Sequence, residues 1–402
     1  MKQAEYQISL FDGDHKLTID KPIRLIELFA GYGSQALALK YLGANFEHWK
    51  ICEWAVKSIQ AYKDLHFGDD NTDYSATKTQ DEVINYLYSK GISANYNEPM
   101  TIDQIKRLGE EKQRVIYNNL IATHNLVSVC NCHASDLEIS DTDKYTYIMT
   151  YSFPCQDLSS AGKGLGMEKG SGTRSGLLWE VERILDECNG KLPQILLMEN
   201  VPEVIGTNNS EHFSQWVAKL DSLGYKSKWE ILNAKDYGVP QNRARCFMVS
   251  WLGNYYYDFP TPIKLENRLK DVLETNVDEK YYLSDAMKKC IVSKNDKYRV
   301  SNGNLIVNRD IACSKTTREG CARADTSDYI SPDLMPNENI ANKNTLNYRI
   351  RKLTPKECGR LMGVRDKDID TIAVNQSNQS QYHLYGDSIV VDVLMAIFGQ
   401  ML

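Results

Sequence analysis

Short apolar runs alternate with helical stretches from Ile23 to Trp251, and this alternation leaves few architectures open. The first run, Ile23-Arg24-Leu25-Ile26-Glu27-Leu28-Phe29, ends in glycines and leads into a helical stretch from Gln35 to Leu42. Trp49 to Cys52 reads as a second strand ending at Glu53, and a helix from about Val56 to Leu65 follows. Leu126–Cys130 and Tyr147–Thr150 read as a third and a fourth strand, and Gln194–Met198 as a fifth. Leu177–Leu185 and Phe213–Leu223 read as helices, and a β pattern over Lys228–Leu232 and Cys246–Trp251 closes the series. The pattern predicts an α/β fold, a Rossmann-like and mostly parallel sheet with helices on both faces.

Two regions depart from the alternation. Asp69 to Val127 is polar and reads as a helical insertion, centred on Asp81–Ser89 and Ile102–Thr123, expected to pad the sheet edge, with binding of a partner as the alternative. From Leu252 to about Leu346, Asn, Gly, Ser, Thr and Asp dominate, which predicts a smaller, irregular, β-leaning domain entered at Pro260 and Pro262. Helical order returns at Pro355–Met362, and a strand and helix are expected over Ser388–Phe398. The expected organisation is an N-terminal arm (1–22), a main domain (23–251) with its insertion (69–127), a second domain (252–348), a linking segment of that small domain (349–381) and a return to the main domain (382–402).

Composition narrows the class further. A length of 402 residues suffices for a buried core and a second lobe. No run of 18 apolar residues suggests a membrane span, and the N-terminus has no apolar signal core. Ten cysteines without close regular spacing suit a reducing cytosol, and Cys130-Asn131-Cys132-His133 has no second pair at zinc spacing, so no metal is expected. The net charge of −6 does not announce a nucleic-acid partner. A local stretch does: from Ala286 to Arg323, nine Lys/Arg stand against three acids, a local excess of six positive charges. If they share one face they would neutralise several phosphates; a solvated charged face is the alternative.

Two groups of residues suggest chemistry. The strand that runs into Phe29-Ala30-Gly31-Tyr32-Gly33 and then a helix is a ligand-binding turn: its glycines admit close backbone approach, and the helix amides favour an anionic group such as a carboxylate. It is not the GxGxxG dinucleotide fingerprint, so a nicotinamide or flavin oxidoreductase is disfavoured. Glu53, at the end of the next strand, is placed to bond both ribose hydroxyls of an adenosine ligand, with Trp54 beside it to stack on adenine and Asp136 to accept from the adenine amino group. The second group is Pro154-Cys155-Gln156 after an apolar strand, Glu199-Asn200-Val201 after the most apolar strand, and Gln241-Asn242-Arg243-Ala244-Arg245 before another. An exposed loop cysteine is a candidate nucleophile, and a half-buried carboxylate a candidate proton donor. Arginines two apart share one face of a strand and would clamp a carbonyl, a phosphate or an acid. Taken singly, each has a plain structural reading as a turn, a buried thiol, a paired acid or a surface arginine.

FAGYG, Glu53-Trp54, PCQ, ENV, QNRAR and GDSIVVDV, with GTRSGLLW over Gly172–Trp179, stand in the order and spacing that resemble the DNA cytosine-5-methyltransferase family of bacterial or phage restriction-modification type. The similarity covers residues 23–67, roughly 134–251 and 349–402, but neither the insertion nor most of the second domain. It implies a class I methyltransferase sheet and S-adenosyl-L-methionine as cofactor, with S-adenosyl-L-homocysteine as product. Phe29, Gly31, Gly33, Glu53, Trp54, Asp136 and Leu177 match the family's cofactor contacts, and the last motif, Asp387-Ser388, closes that site. The family usually has Asn where this chain has Asp387, which exchanges a two-way amide for an acceptor.

The resemblance also implies the chemistry: the Cys155 thiolate adds to carbon 6 of a flipped-out cytosine, Glu199 stabilises protonated ring nitrogen 3, Arg245 holds the carbonyl at position 2, and Arg243 supports the Cys155 region. Cys155–Lys163 is expected to be a lid. Gln156, Ser159, Lys163, Lys315, Arg318 and Arg323 are the expected contacts to double-stranded DNA, the last three within the target-recognition domain. The implied protein is a monomer of the bacterial cytosol, associated with the nucleoid. A tRNA-methylating branch of the family and an inactive DNA-binding scaffold are the competing readings.

Overall fold

The structure is a computed structural model that describes residues 15–154, 174–292, 305–321 and 327–402. The first strands and helices follow the sequence reading closely: β1 (Ile23–Leu28), α1 (Ser34–Leu42), β2 (Phe46–Cys52) and α2 (Val56–His66). The insertion forms α3 (Gln80–Lys90), α4 (Ile102–Arg107) and α5 (Glu110–Ala122). The alternation resumes with β3 (Thr146–Tyr151), α6 (Leu178–Glu187), β4 (Ile195–Asn200), α7 (Ser210–Ser222), β5 (Tyr225–Asn233) and β6 (Ala244–Leu252).

Among the described residues these strands form one six-stranded sheet in the order β2-β1-β3-β4-β6-β5. β1 pairs in parallel with β2 and β3, β3 with β4, and β6 runs antiparallel to β4. All six residues of β4 are buried, as expected of a central strand covered on both faces. Met149, Tyr151, Leu196, Met198 and Met248 pack on one face with Val181, Ile184 and Leu185 of α6 and Trp216 and Leu220 of α7. The alternate residues Leu25, Ile148, Leu197 and Val249 are equally buried and point the other way.

Three expectations are corrected. Leu126–Cys130 is not a strand: Val127 sits at φ 71°, which a strand cannot use, and Val129–Asn131 closes a 3-10 turn. Only a single bridge, Ile51 to Asn125, ties this segment to β2. The helix expected over Ile102–Thr123 is two, because Gly109 at φ 82° ends the first path and caps α5. The strand expected near Ser388 is absent; irregular backbone leads into α12, Val391–Gly399, after α8 to α11 (Asp285–Val292, Pro355–Leu361, Asp366–Asn375, Asn378–Gly386). The insertion helices themselves are locally specified: Thr79 with Glu82 and Thr101 with Gln104 form capping boxes.

The chain divides into two compact units. One holds Met1–Leu232, Ala244–Pro260 and Leu394–Leu402; the other holds Asn233–Arg243 and Thr261–Val393. The second unit is built on four two-residue strands, Glu338–Asn339, Ile306–Val307, Tyr329–Ile330 and Arg351–Lys352, side by side in that order. Its core is Leu283, Ile291, Leu305, Val307, Tyr329, Ile340 and Ile350.

Candidate active site

Within the first unit, the carboxyl ends of the parallel strands gather the predicted residues at one edge of the sheet. The strand order reverses between β1 and β3, and the crevice outside such a switch point is where open α/β sheets bind ligands. β1 runs into the FAGYG turn, β2 into Glu53, β3 into Ser152-Phe153-Pro154, and β4 ends at Glu199-Asn200. Because β6 is antiparallel to β4, its beginning lies at that same edge, with Cys246 opposite Asn200.

The FAGYG turn alternates left-handed residues: Phe29 at φ 60°, Gly31 at φ 57° and Gly33 at φ 81°. Gly33 caps α1, and a Cβ there would collide with the rings of His66 and Tyr62, so only glycine fits. Among the described residues, a Cβ on Gly31 would meet nothing within 4 Å, which leaves space over the turn for a ligand. Phe29 takes a conformation that non-glycine residues adopt rarely and that clusters at ligand clamps.

Glu53 is 7% exposed and its carboxylate is oriented by main chain. The amide of Gly31 donates to Oε2 at 2.8 Å and that of Ala55 to Oε1 at 2.7 Å. The acid is thereby tied to the glycine turn. Its own peptide groups are held by Asn125, whose Oδ1 accepts from Glu53 N at 3.1 Å and whose Nδ2 donates to Glu53 O at 2.9 Å. Trp54 is half-buried and packs against the core of the insertion. Asp136 is half-buried in a 3-10 turn, Ala134–Leu137, and its Oδ2 accepts from the amide of His133 at 2.9 Å. Trp49 Nε1 donates to Leu137 O at 2.7 Å and ties that turn to β2. Leu177 closes a 3-10 turn ahead of α6 and is half-buried.

At the other end of the edge, Glu199 is 9% exposed and pairs with Arg245, Nε to Oε1, at 3.2 Å. Arg245 is braced by a hydrogen bond from Nη1 to the carbonyl of Ala244 at 2.7 Å. Asn200 Nδ2 donates to Phe153 O at 2.9 Å, which joins the end of β4 to the segment before Cys155. Burial, and then the charge of Glu199, pushes the neighbouring Cys246 thiol up to about 12, so it stays an inert thiol. Cys155, Gln156, Ser159, Lys163 and Arg323 lie outside the described residues.

The second unit holds two of the expected residues, both buried. Arg243 is 5% exposed, and its guanidinium donates to the carbonyls of Lys315 at 2.6 Å, Ser388 at 2.5 Å and Gly386 at 3.2 Å. It is a strut binding the Gly386–Ser388 turn to the Lys315 segment, while the Cys155 region it is expected to support lies outside the described residues. Lys315, an expected DNA contact, is turned inward: its side chain is fully buried, with Nζ 2.6 Å from Asp328 and 3.3 Å from Glu319. Burial alone would lower the pKa of this ammonium, but the charges of Asp328 and Glu319 outweigh it and raise it.

The described residues of the basic stretch are turned partly inward. Lys288 is buried, bonded to Tyr348 O at 3.3 Å and to Asp285 at 2.9 Å, and Arg309 lies 3.6 Å from Asp328. Arg318 is exposed, at the tip of the turn that the Lys315–Glu319 pair pins down, and Lys289 is exposed as well. Asp387 is exposed at the end of α11, Ser388 buried. A Cβ on Gly386 would collide with the backbone of Thr316 and Thr317, so the two segments touch closely. Sequence reasoning missed Asn125 and Gln241, which accepts from Lys315 N at 2.8 Å and donates to Leu361 O at 2.6 Å. A lone amide whose partners lie far along the chain leaves no local pattern to read.

Among the described residues no three His, Cys, Asp or Glu converge as a metal site, and no helix is long and apolar enough to cross a membrane. A family profile described as C-5 cytosine-specific DNA methylase matches residues 115–402. The chain is 34% identical over 392 residues to the orphan methyltransferase M.SssI of Spiroplasma monobiae, covering 94% of this chain and 97% of the relative. It is 33% identical over 383 residues to the type II methyltransferase M2.ScrFI of Lactococcus lactis subsp. cremoris, covering 94% of this chain and 99% of the relative. The crystal structure of the S. pombe Dnmt2 methyltransferase matches with a TM-score of 0.62 at 16% identity, over 94% of this chain and 97% of that one, a likeness of fold.

Proposed function

The chain belongs to the C-5 cytosine-specific DNA methylase family and is a DNA cytosine-5-methyltransferase, and from that premise we propose how its residues divide the work. The methyl donor is S-adenosylmethionine. Glu53 takes the ribose hydroxyls, Trp54 and Asp136 the adenine, and Phe29, Gly31 and Gly33 the remainder at the amino end of α1, with Leu177 completing the contacts. The open space over Gly31 and the carboxylate of Glu53, already oriented by two amides, fit such a ligand. When bound, it supplies a sulfonium methyl group.

Cys155 is the nucleophile. Its thiolate forms a bond to carbon 6 of the cytosine, and the ring's π electrons make carbon 5 nucleophilic. Glu199 stabilises the proton on ring nitrogen 3, and Arg245, held against it, binds the carbonyl at position 2. Once carbon 5 is methylated, it loses its proton and the Cys155–carbon 6 bond breaks, restoring the ring. The target is duplex DNA with the cytosine flipped out, since neither face of a stacked base admits this attack. The chain works as a monomer in the bacterial cytosol, at the nucleoid, and Arg318 is a DNA contact, joined by Gln156, Ser159, Lys163 and Arg323. The observation that supports this reading most is the Glu199–Arg245 pair at the carboxyl end of β4, beside the end of β3.

The test is methyl transfer from labelled S-adenosylmethionine to duplex DNA and to tRNA, with nucleoside mass spectrometry, for wild type and Cys155→Ala. 5-Methylcytosine in DNA, lost in the variant, is the expected result. Label in tRNA alone would contradict duplex DNA as the target, and no transfer to either would contradict catalysis.

A further inference from the structure

Four main-chain groups of the segment Glu53–Val56 are paired to the insertion. Asn125 takes the amide and the carbonyl of Glu53 through its side chain, at 3.1 and 2.9 Å. Ser93 takes the carbonyl of Trp54 and the amide of Val56 through its own main chain, at 2.7 and 2.9 Å. A carboxamide carries a donor and an acceptor side by side, as a peptide does. Asn125 therefore continues the pairing of Ile51 with its own segment by one rung, where the backbone has turned away. It is 4% exposed, and Oδ1 also accepts from Val127 N at 2.8 Å. His124 and Val127 around it both have positive φ, 51° and 71°, and for a β-branched valine this is a costly conformation. Strain is held here, and what it presents is the amide on Glu53.

We infer that Asn125 is a positioning residue for the cofactor's ribose, and that the insertion is a clamp on the adenosine end of the active site rather than padding alone. This rests on the reading of Glu53 as the ribose ligand. The Glu53 carboxylate meets the amides of Gly31 and Ala55 together only while its own peptide groups are fixed, and Asn125 fixes both of them.

The experiment is calorimetric titration of the full chain with S-adenosylhomocysteine and with its analogue lacking both ribose hydroxyls. The variants are Asn125→Ala, Asn125→Asp, Glu53→Ala and Glu53→Ala with Asn125→Ala. Asn125→Ala is expected to weaken S-adenosylhomocysteine about tenfold and the deoxy analogue less than about twofold. KM for S-adenosylmethionine should rise while kcat at saturation holds. In the Glu53→Ala background the Asn125 change should add nothing, as expected of residues acting as one unit. Asn125→Asp keeps the volume and the acceptor but loses the donor, and gives the same comparison should the alanine variant not fold. Equal losses for both ligands, or additive losses in the double variant, would mean general destabilisation and overturn the inference. Unchanged affinity in Glu53→Ala alone would instead remove the ribose reading, and this inference with it.

Discussion

The Tyr62 hydroxyl donates to Oε2 of Glu27 at 2.6 Å, and the amide of Ala36 in the first turn of α1 reaches Oε1 at 3.3 Å. The carboxyl group is fully buried on β1, beside the glycine turn, and desolvation pushes its pKa up to about 7 against the bonds from Tyr62 and Ala36. The same tyrosine oxygen lies 2.9 Å from Nδ1 of His48. Burial, with the charges of Lys40 and His124, lowers His48 to about 4, so it is neutral where Glu27 titrates.

A pH dependence follows from that arrangement. The folded chain holds a proton on Glu27 that the unfolded chain releases near 4.5, so the contribution to stability is complete below that value and is lost as pH rises to about 7. The loss attributable to Glu27 is about 3 kcal/mol. Glu27→Gln should flatten this part of the profile, because its amide can donate to Tyr62 while its oxygen keeps the bond from Ala36. Denaturant unfolding of both chains between pH 4.5 and 8 measures it; identical profiles would refute the assignment.

The Glu199–Arg245 pair predicts a kinetic split. Glu199→Gln keeps the shape but cannot hold the ring proton as a carboxylate does, and kcat should fall by about 10²- to 10⁴-fold. Arg245→Lys loses the planar fork that pairs with Glu199 and that is proposed to hold the ring carbonyl, and should lose activity with DNA affinity retained. Single-turnover methylation beside a DNA-binding titration separates the two effects. A parallel loss of binding would place the pair in folding or docking.

The two glycines of the turn should respond differently. Gly33→Ala puts a methyl group into the rings of His66 and Tyr62 at a left-handed position and should cost several kcal/mol, about 2 to 4, of stability. Gly31→Ala meets no atom of the described residues within 4 Å, so its cost should be near the backbone term alone, about 1 kcal/mol. Its methyl group enters the space assigned to the cofactor, so affinity for S-adenosylhomocysteine should fall. Thermal unfolding and calorimetry on the same two variants read both effects.

Lys315 and Arg318 should exchange the roles their charge suggests. Among the described residues, Lys315→Met leaves Glu319 without its cation and Asp328 with Arg309 alone, so the second unit should lose about 3 to 5 kcal/mol. Arg318→Ala should leave stability within about 0.5 kcal/mol, because the side chain is exposed. It should instead lower the slope of log DNA affinity against log salt by about one unit. A salt slope altered by Lys315→Met in a folded protein, and untouched by Arg318→Ala, would reverse this assignment.

What the amino-acid sequence determines here is what local chemistry can encode. The alternation of short apolar runs with helical stretches specified the sheet's first layers, and FAGYG, Glu53, Glu199 and Arg245 were legible because each stands at the end of an apolar run or beside its start. Thr79, Thr101 and Gly109 mark the insertion's helices in the same local way. Tertiary structure alone decided the rest. Charge counting treats Lys315 and Arg318 alike, yet one is sealed against Asp328 and the other is exposed, because burial depends on neighbours brought from elsewhere in the chain. Arg243 stands two positions before Arg245 and follows the same alternation, but its guanidinium donates to carbonyls of Lys315, Gly386 and Ser388. Asn125 meets Glu53 across 72 positions, and an amide in a polar segment carries no mark of the peptide it will pair with. Periodicity and capping act over a few residues and survive in the bare sequence; hydrogen-bond partners chosen by chain folding do not.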